Sequence, residues 1–257
     1  MAIKYLDAKR IRGQKGTNSD WTNGTGWTFG SNKHTVNNST ASVTRLTYYD
    51  LGANQPDGWV LRFVLQATAL ASGGGWKFDI GLTEDATSSN MENENPTGTD
   101  TVYARADTGD WACLSTNGSS TLNYDQFNSY SLPYTIPSYY VEVRKLSSSQ
   151  AQVKIWSDDW DGTLVSNSDV VSLSANPVCR YIFARFYYPS GATADNTVNV
   201  SNLKYYNSTT TSGTPTFETD FAVPFSNLPE NTIFNQTDTY QQYWLQDGVW
   251  QPTTPPI

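Results

Sequence analysis

The sequence is poor in the residues that most often carry catalysis or bind transition metals. Its 257 residues include one histidine, two cysteines and two methionines. His34 lies in a polar stretch that predicts a loop, and one histidine offers no Ser-His-Asp or Cys-His arrangement for nucleophilic catalysis. Cys113 and Cys179 cannot form a disulfide framework, and no CxxC pair is present for zinc. The two cysteines are expected to be buried thiols, with a single disulfide as the alternative.

Basic charge is also scarce, because 16 Lys and Arg face 24 Asp and Glu and the formal net charge is −8. Nucleic acids bind basic surfaces, so no nucleic-acid partner is expected. No stretch approaches the roughly 20 apolar residues that cross a bilayer, so no membrane insertion is expected either. Residues 1–7 lack the apolar run of a secretory signal peptide. The acidic, Trp-, Tyr- and Asn-rich composition nevertheless predicts a location outside the cell.

Aromatic residues are plentiful, with 9 Trp, 16 Tyr and 10 Phe, whereas disordered chains lack the aromatics to build a core. Good helix formers are few, which favours β-structure with polar loops. Alternation of apolar and polar residues predicts strands over 43–49, 59–66, 76–82, 101–106, 111–114, 139–146, 152–157, 180–188 and 198–206. Strands that follow one another through turns, without intervening helices, predict an all-β antiparallel sandwich.

The composition divides the chain into four parts. Residues 1–42 are an N-terminal entry segment that packs on the sandwich or leads into it, and residues 43–206 are the sandwich itself. Residues 207–216 are a Ser- and Thr-rich linker. Residues 217–257 are a C-terminal tail, in which an Asp-Gly turn at 247–248 predicts a short β-hairpin.

The tail carries more large aromatic side chains than some forty residues can bury alone. It must pack on the sandwich, on a sister subunit or on a larger assembly, and we predict a second subunit or a partner protein. The residues expected to make this contact are Phe221, Phe225, Phe234, Tyr240, Tyr243, Trp244 and Trp250.

The order of the strands resembles that of concanavalin A-like lectin/glucanase domains. The segments that carry this resemblance are 59–63, 139–144, 153–158 and 200–207. The opening at 3–13 and the tail phrases within 228–250 resemble elements of structural proteins from tailed viruses of bacteria and archaea. The resemblance implies a jelly-roll β-sandwich on a virion surface: a capsid decoration, a head or tail fibre, or a receptor-binding protein. It further implies a homo-oligomer that contacts other virion proteins and binds a host-surface glycan.

Glucanases with this fold carry acidic residues at alternating positions of one strand, where one carboxylate is the nucleophile and another the acid. That motif is absent here. Glu92 and Glu94 lie in an acidic, Asn-rich loop at 83–100, and Asp79 is the only acidic residue of its strand. We therefore predict a protein that is not an enzyme, since the fold serves lectins, hydrolases and inert spacers alike. A free carbohydrate-binding lectin and a glycan hydrolase or lyase are the alternatives.

The segment Asp158-Asp159-Trp160-Asp161-Gly162 allows two interpretations. Asp159 and Asp161 could ligate calcium in a tight turn, with Gly162 permitting the bend. Alternatively, Asp and Gly simply supply the backbone angles of a hairpin turn. The glutamate that completes a calcium loop is missing, and calcium is the one cofactor that the sequence suggests.

Aromatic side chains in polar loops are the candidates for sugar contact, because their faces stack on the C–H faces of sugars. A Tyr-, Asn- and Ser-rich loop at 115–137 has the adaptable contact chemistry found in antibody paratopes. The candidates are Trp160, Tyr124, Tyr130, Tyr134 and Trp111. Trp111 also falls on a strand whose aromatic residues are expected in the core. Solvated loops or subunit contacts are the alternative for the others.

Overall fold

A computed structural model of the chain describes residues 21–22, 24–30, 33–38, 43–55, 57–69, 76–93, 95–96, 98–107, 110–116, 122–127, 136–160, 162–173, 176–188, 196–207, 209, 233–236, 241–246 and 249–252. The strands are β1 (Trp21–Thr22), β2 (Trp27–Gly30), β3 (Lys33–Asn38), β4 (Val43–Asp50), β5 (Trp59–Ala69), β6 (Lys77–Thr83), β7 (Thr101–Asp107), β8 (Trp111–Thr116), β9 (Leu122–Phe127), β10 (Ile136–Ser147), β11 (Gln150–Trp156), β12 (Leu164–Asn167), β13 (Val171–Ser172), β14 (Tyr181–Tyr188), β15 (Asn196–Tyr206), β16 (Ile233–Gln236), β17 (Gln241–Gln246) and β18 (Val249–Pro252). A single 3-10 turn occupies Ser89–Glu92. The described residues contain no α-helix and thus no helix that could cross a bilayer.

Two antiparallel sheets form the sandwich. Sheet A has seven strands in the order β1-β4-β14-β6-β7-β8-β9, and sheet B has the order β12-β11-β10-β5-β15-β3-β2, with β13 paired to β11. Neighbours in space are therefore often distant in sequence, as in β14 between β4 and β6. This arrangement confirms the predicted jelly-roll β-sandwich.

The core lies between the sheets because alternate residues of each strand point inward. On β6 the inward residues are Phe78, Ile80 and Leu82, and all three are buried. Gly81 occupies the outward position between Ile80 and Leu82. A Cβ there would lie 2.2 Å from the carbonyl oxygen of Val102, which is too close for any side chain. The large rings of the core include Trp59, Trp76 and Trp111. Burying a large apolar side chain stabilises the fold by about 1.5–3 kcal/mol.

Three strands precede residue 43, where the sequence showed no clear alternation. β1 pairs with β4 in sheet A, while β2 and β3 extend sheet B beyond β15. Trp21 and Trp27 are buried in the shared core. β1 and β2 are short strands at sheet edges, and β3 lies between β2 and β15 but is mostly polar, so the periodicity of all three is weak.

Further short strands also escaped the sequence analysis. β9 lies inside the segment 115–137 that was expected to be a loop, and that expectation is wrong for Leu122–Phe127. β12 and β13 are strands of four and two residues that pair with β11. Their hydrophobic pattern is too brief to separate a strand from a loop.

The predicted hairpin of β10 and β11 is confirmed by their antiparallel pairing, whose register shifts once, between Lys145 and Ser147. β5 lies on the other side of β10 and pairs in turn with β15. The register of the β5–β15 pairing shifts between Ser201 and Lys204. Asn202 has a φ of 51° at this bulge, a conformation that Asn tolerates better than most residues.

The C-terminal tail forms a separate three-stranded sheet in the order β16-β17-β18. β17 and β18 pair antiparallel from Gln246 and Val249 outward, which confirms the hairpin. β16 was not foreseen and adds a third strand to it.

Candidate sugar-binding face and the buried ionic clusters

The outer face of sheet A carries a buried ionic cluster of Asp79, Arg105 and Arg185, here called the sheet A cluster. Both arginines pair directly with Asp79 across the ladder. Arg105 Nε donates to Asp79 Oδ1 at 2.7 Å, and Arg185 Nε donates to Oδ2 at 2.7 Å. Burial alone would raise the pKa of Asp79, but the two guanidinium groups hold that pKa below its usual value. The carboxylate therefore stays ionised.

The segment 84–100 closes over this cluster. Arg185 Nη1 donates to the carbonyl oxygens of Met91, at 3.0 Å, and Asn93, and Arg105 Nη1 donates to Asn95 Oδ1 at 2.8 Å. The loop thus supplies the acceptors that the two buried guanidinium groups require.

The same segment places an apolar plug on sheet A. The side chain of Met91 is fully buried in a cluster with Tyr103, Phe183 and Leu114. Polar and apolar contacts together seal the middle of this face from solvent.

The outer face of sheet B presents partly exposed aromatic and charged groups. The Trp160 ring stands nearly perpendicular to that of Tyr140, with the ring centroids 4.9 Å apart. Arg62 Cζ lies 5.3 Å from the Trp160 ring centroid, a cation–π distance. Trp160 Nε1 donates to the carbonyl oxygen of Val141 at 3.3 Å. These three contacts fix the ring against the sheet.

A second ionic cluster lies beside this tryptophan. Glu142 is fully buried, and both of its carboxylate oxygens accept from arginines: Oε2 from Arg62 Nε at 2.8 Å and Oε1 from Arg144 Nε. The arginines remain partly accessible, with 14% and 23% of their side chains exposed. Trp160, Tyr140, Arg62, Glu142 and Arg144 together are called the Trp160 face below.

The turn that carries Trp160 is closed by its own acidic side chains. Asp158 Oδ1 accepts from the backbone amides of Asp159 at 3.1 Å and Thr163 at 2.8 Å, and Asp159 Oδ1 accepts from the amide of Trp160 at 2.7 Å. The hydrogen bond from Thr163 is the main reason that the pKa of Asp158 is lowered. These contacts are those of a hairpin turn stabilised by Asp side chains.

The predicted calcium ligands are Asp159 and Asp161. Asp159 is exposed, while Asp161 lies outside the described residues. In the described part of the chain no three His, Cys, Asp or Glu side chains cluster so that they could hold a metal ion. A calcium site at this turn remains a prediction.

Trp111 is only 2% exposed and packs edge-on against Tyr139 in the core. A ring buried in this way has no face for a sugar, so the prediction that Trp111 contacts glycan is corrected. Tyr130 and Tyr134 lie outside the described residues, and so does the side chain of Tyr124 on β9.

The predicted assembly residues also lie where side chains are not described. Phe221, Phe225 and Tyr240 are outside the described residues altogether. Phe234, Tyr243, Trp244 and Trp250 lie on β16, β17 and β18, of which the backbone pairing is described. Their contacts remain a prediction.

His34 lies on β3 and not in a loop, which corrects the expectation from its polar neighbours. Its ring contacts Trp21 and Phe29 edge-on, with centroid separations of 4.9 and 4.8 Å. Burial lowers the pKa of His34 to about 4, so the imidazole is neutral near pH 7.

Cys113 and Cys179 are both buried and are not joined by a disulfide, as expected. Burial raises the pKa of the Cys179 thiol to about 12. A thiol of this kind is a packing group and not a nucleophile.

The sequence analysis missed the arginines of both ionic clusters. A signal was present, because Glu142 and Arg144 occupy alternate positions of a predicted strand and therefore share a face. Asp79, Arg105 and Arg185 likewise interrupt three apolar strands at positions that the core does not use. Which strands become neighbours, however, is set by the sheet order and is not visible in any one segment.

No protein-family model matches the chain, and no curated protein matches it in sequence. Among solved structures, the carbohydrate recognition domain of Emp47p is similar with a TM-score of 0.50 and 9% identity, covering 74% of this chain and 89% of that one. A structure of botulinum neurotoxin type C has a TM-score of 0.50 and 9% identity, covering 87% of this chain and 48% of that one. The cell entry of that toxin depends on interaction with two ganglioside molecules. At such identity the likeness shows the fold alone, a concanavalin A-like jelly-roll β-sandwich.

Proposed function

We propose that this chain is a non-enzymatic carbohydrate-binding protein and that it binds sugar on the Trp160 face. The observation that carries the proposal is the Trp160 ring, which is held in place by Tyr140, Arg62 and a backbone carbonyl while part of it stays exposed. An aromatic ring fixed before binding loses little conformational entropy when a sugar stacks on it.

Polar side chains continue the same face toward β3. Thr35 Oγ1 donates to Asn199 Oδ1 at 2.7 Å, and Thr197 Oγ1 donates to Asn37 Oδ1 at 2.8 Å. Such hydroxyl and amide groups exchange hydrogen bonds with sugar hydroxyls. The lectin-like fold supports the proposal, although fold alone does not determine function.

The absence of catalysis is part of the proposal and is supported by the state of the buried carboxylates. Asp79 lies between two arginines that hold its pKa below the usual value, so this buried carboxylate is ionised and is no proton donor. Both carboxylate oxygens of the buried Glu142 accept hydrogen bonds from Arg62 and Arg144. Glu92 is exposed on the 3-10 turn, and His34 is half-buried against the rings of Trp21 and Phe29.

The test is binding of an oligosaccharide panel by isothermal titration and glycan array. Trp160→Ala should weaken binding by about 5- to 150-fold, since stacking of one ring is worth about 1–3 kcal/mol by analogy with base stacking. Tyr181→Ala is the matched control, because this partly exposed aromatic residue lies on sheet A. Unchanged binding by Trp160→Ala, or release of reducing sugar by the wild type, would contradict the proposal.

A role as a virion structural protein outside the cell is the second candidate, and the separate C-terminal sheet favours it. Strands β16, β17 and β18 pair only with one another among the described strands. A small sheet of this size is marginal on its own and calls for a partner surface. Homo-oligomerisation through the tail and contacts with other virion proteins belong to this proposal.

Truncation after Asn207 tests this second role. The truncated chain should keep the far-UV spectrum of the sandwich but lose the oligomeric mass of the full chain in analytical ultracentrifugation. An unchanged oligomer, or a full-length chain that is monomeric at all concentrations, would overturn the assembly role without affecting sugar binding.

A further inference from the structure

Positive charge is concentrated on the outer face of sheet B. Lys154 on β11 and Arg62 on β5 pair with Glu142 from its two sides. Lys204 on β15 pairs with Arg62 and extends the row. Residues directly opposite each other in an antiparallel ladder share a face, so this row crosses four strands on one surface.

This face has the opposite charge to the chain as a whole. On the described strands of sheet B, the basic residues of the outer face are Lys33, Arg62, Arg144, Lys154 and Lys204, and the one acidic residue is Glu142. The chain carries a formal net charge of −8 with only 16 basic residues. Placing five of them on the strands of one face against a single carboxylate creates a positive field over those strands, while Asp158 and Asp159 add negative charge at the turn that carries Trp160.

The buried carboxylate holds two guanidinium groups in fixed positions. Glu142 accepts from Nε of Arg62 and Nε of Arg144, which uses one of the five N–H donors of each group. One negative charge cannot neutralise two positive ones, so the two arginines and Glu142 keep a net positive charge, and Arg62 places part of it over the Trp160 ring. Fixed guanidinium groups are well suited to carboxylate and sulfate oxygens.

Of the acidic side chains near Trp160, the described ones are Asp158 and Asp159, and neither pairs with Arg62 or Arg144. Asp158 and Asp159 are both engaged by backbone amides of their own turn. The distances to Glu142 show that only this carboxylate, among the described ones, accepts from Arg62 and Arg144.

Resting on the proposed sugar-binding function, we propose that the Trp160 face selects acidic glycans. The sugar ring stacks beside Trp160, and its anionic group pairs with Arg62, Arg144 and Lys154. Carboxylate sugars and sulfated sugars share this chemistry, and the experiment separates them.

The experiment measures affinity for matched pairs of probes: sialyllactose and lactose, trigalacturonate and its methyl ester, and sulfated lactose and lactose. The acidic member of a pair should bind at least tenfold more tightly at low salt, and the difference should shrink as ionic strength rises. The pair with the largest difference identifies the anionic group. Lys154→Gln should weaken acidic probes several-fold and leave the neutral probes unchanged, and Arg144→Gln should weaken the acidic probes by a larger factor than the neutral ones.

Arg180→Gln is the matched control, because it removes the same charge from an exposed residue beside sheet A. Thermal unfolding of each variant shows whether weaker binding reflects a lost contact or a lost fold. The side chain of Lys154 is only partly buried, so Lys154→Gln still tests the proposal if Arg144→Gln does not fold. If acidic and neutral probes bind with equal affinity and Trp160→Ala abolishes both, the acidic preference is overturned and the proposed sugar binding by the Trp160 face is supported. An equal effect of Arg180→Gln and Lys154→Gln would also overturn it, since net charge would then explain the binding. No binding of any probe would overturn both proposals.

Discussion

Asp79 shows how a single side chain can hold three strands together. It is fully buried on β6, and its partners Arg105 and Arg185 lie on the strands to either side. Removing one member of a buried ionic group costs more than the pair contributes, because the remaining charges are left in a poorly polarisable environment. An exposed pair behaves differently because water screens it.

Asp79→Asn should therefore lower the free energy of unfolding by about 3–5 kcal/mol, measured by urea denaturation. Asp50→Asn is the control, since the Asp50–Arg180 pair is 41% and 40% exposed and its loss should cost about 1 kcal/mol or less. Similar losses for the two variants would show that the sheet A cluster is not the stabilising group described above.

At the scale of elements, the sequence predicted nine strands that the structure contains, because each is an apolar or alternating run bounded by turn residues. The strands that it missed are short or polar: β1, β2, β3, β9, β12, β13 and β16. Of the candidate site, Trp160 was identified from its place in a polar turn. Arg62 and Glu142 were not, since they meet through a strand pairing that joins residues 80 positions apart.

The covering segment 84–100 is an element whose attachment depends on one apolar side chain. Met91→Ala should lower the free energy of unfolding by about 2–5 kcal/mol, because it leaves a cavity between Tyr103 and Phe183. The neighbouring Glu92 is exposed, and Glu92→Ala should change stability by no more than about 0.5 kcal/mol. Chemical denaturation of both variants tests this, and equal effects would mean that Met91 does not anchor the segment.

At the scale of the whole molecule, one histidine governs the response to mild acid. The pKa of His34 is lowered to about 4 by burial, whereas a histidine in an unfolded chain has its ordinary pKa of 6.5. Below pH 6.5 the unfolded state therefore binds a proton that the folded state does not bind. The free energy of unfolding falls as the pH is lowered from there to the folded-state pKa. Above pH 6.5 the contribution of His34 to the free energy of unfolding no longer depends on pH.

Between pH 7 and pH 5 the free energy of unfolding should fall by about 1–2 kcal/mol. His34→Phe keeps an aromatic ring between Trp21 and Phe29 and should remove most of this slope. Urea denaturation at several pH values gives the slope directly. A variant that retains the wild-type slope would show that other groups cause the acid sensitivity.

The sheet A cluster also distinguishes correct from incorrect strand alignment. A shift of β6 by two residues against β7 keeps every apolar side chain on the inner face, so hydrophobic burial alone does not reject it. The shift would, however, place Asp79 opposite Tyr103 or Asp107 instead of Arg105. A buried carboxylate would then face a phenol or a second carboxylate, at a cost of several kcal/mol. The sheet A cluster thus raises the free energy of misaligned sheets that would otherwise compete with the native one.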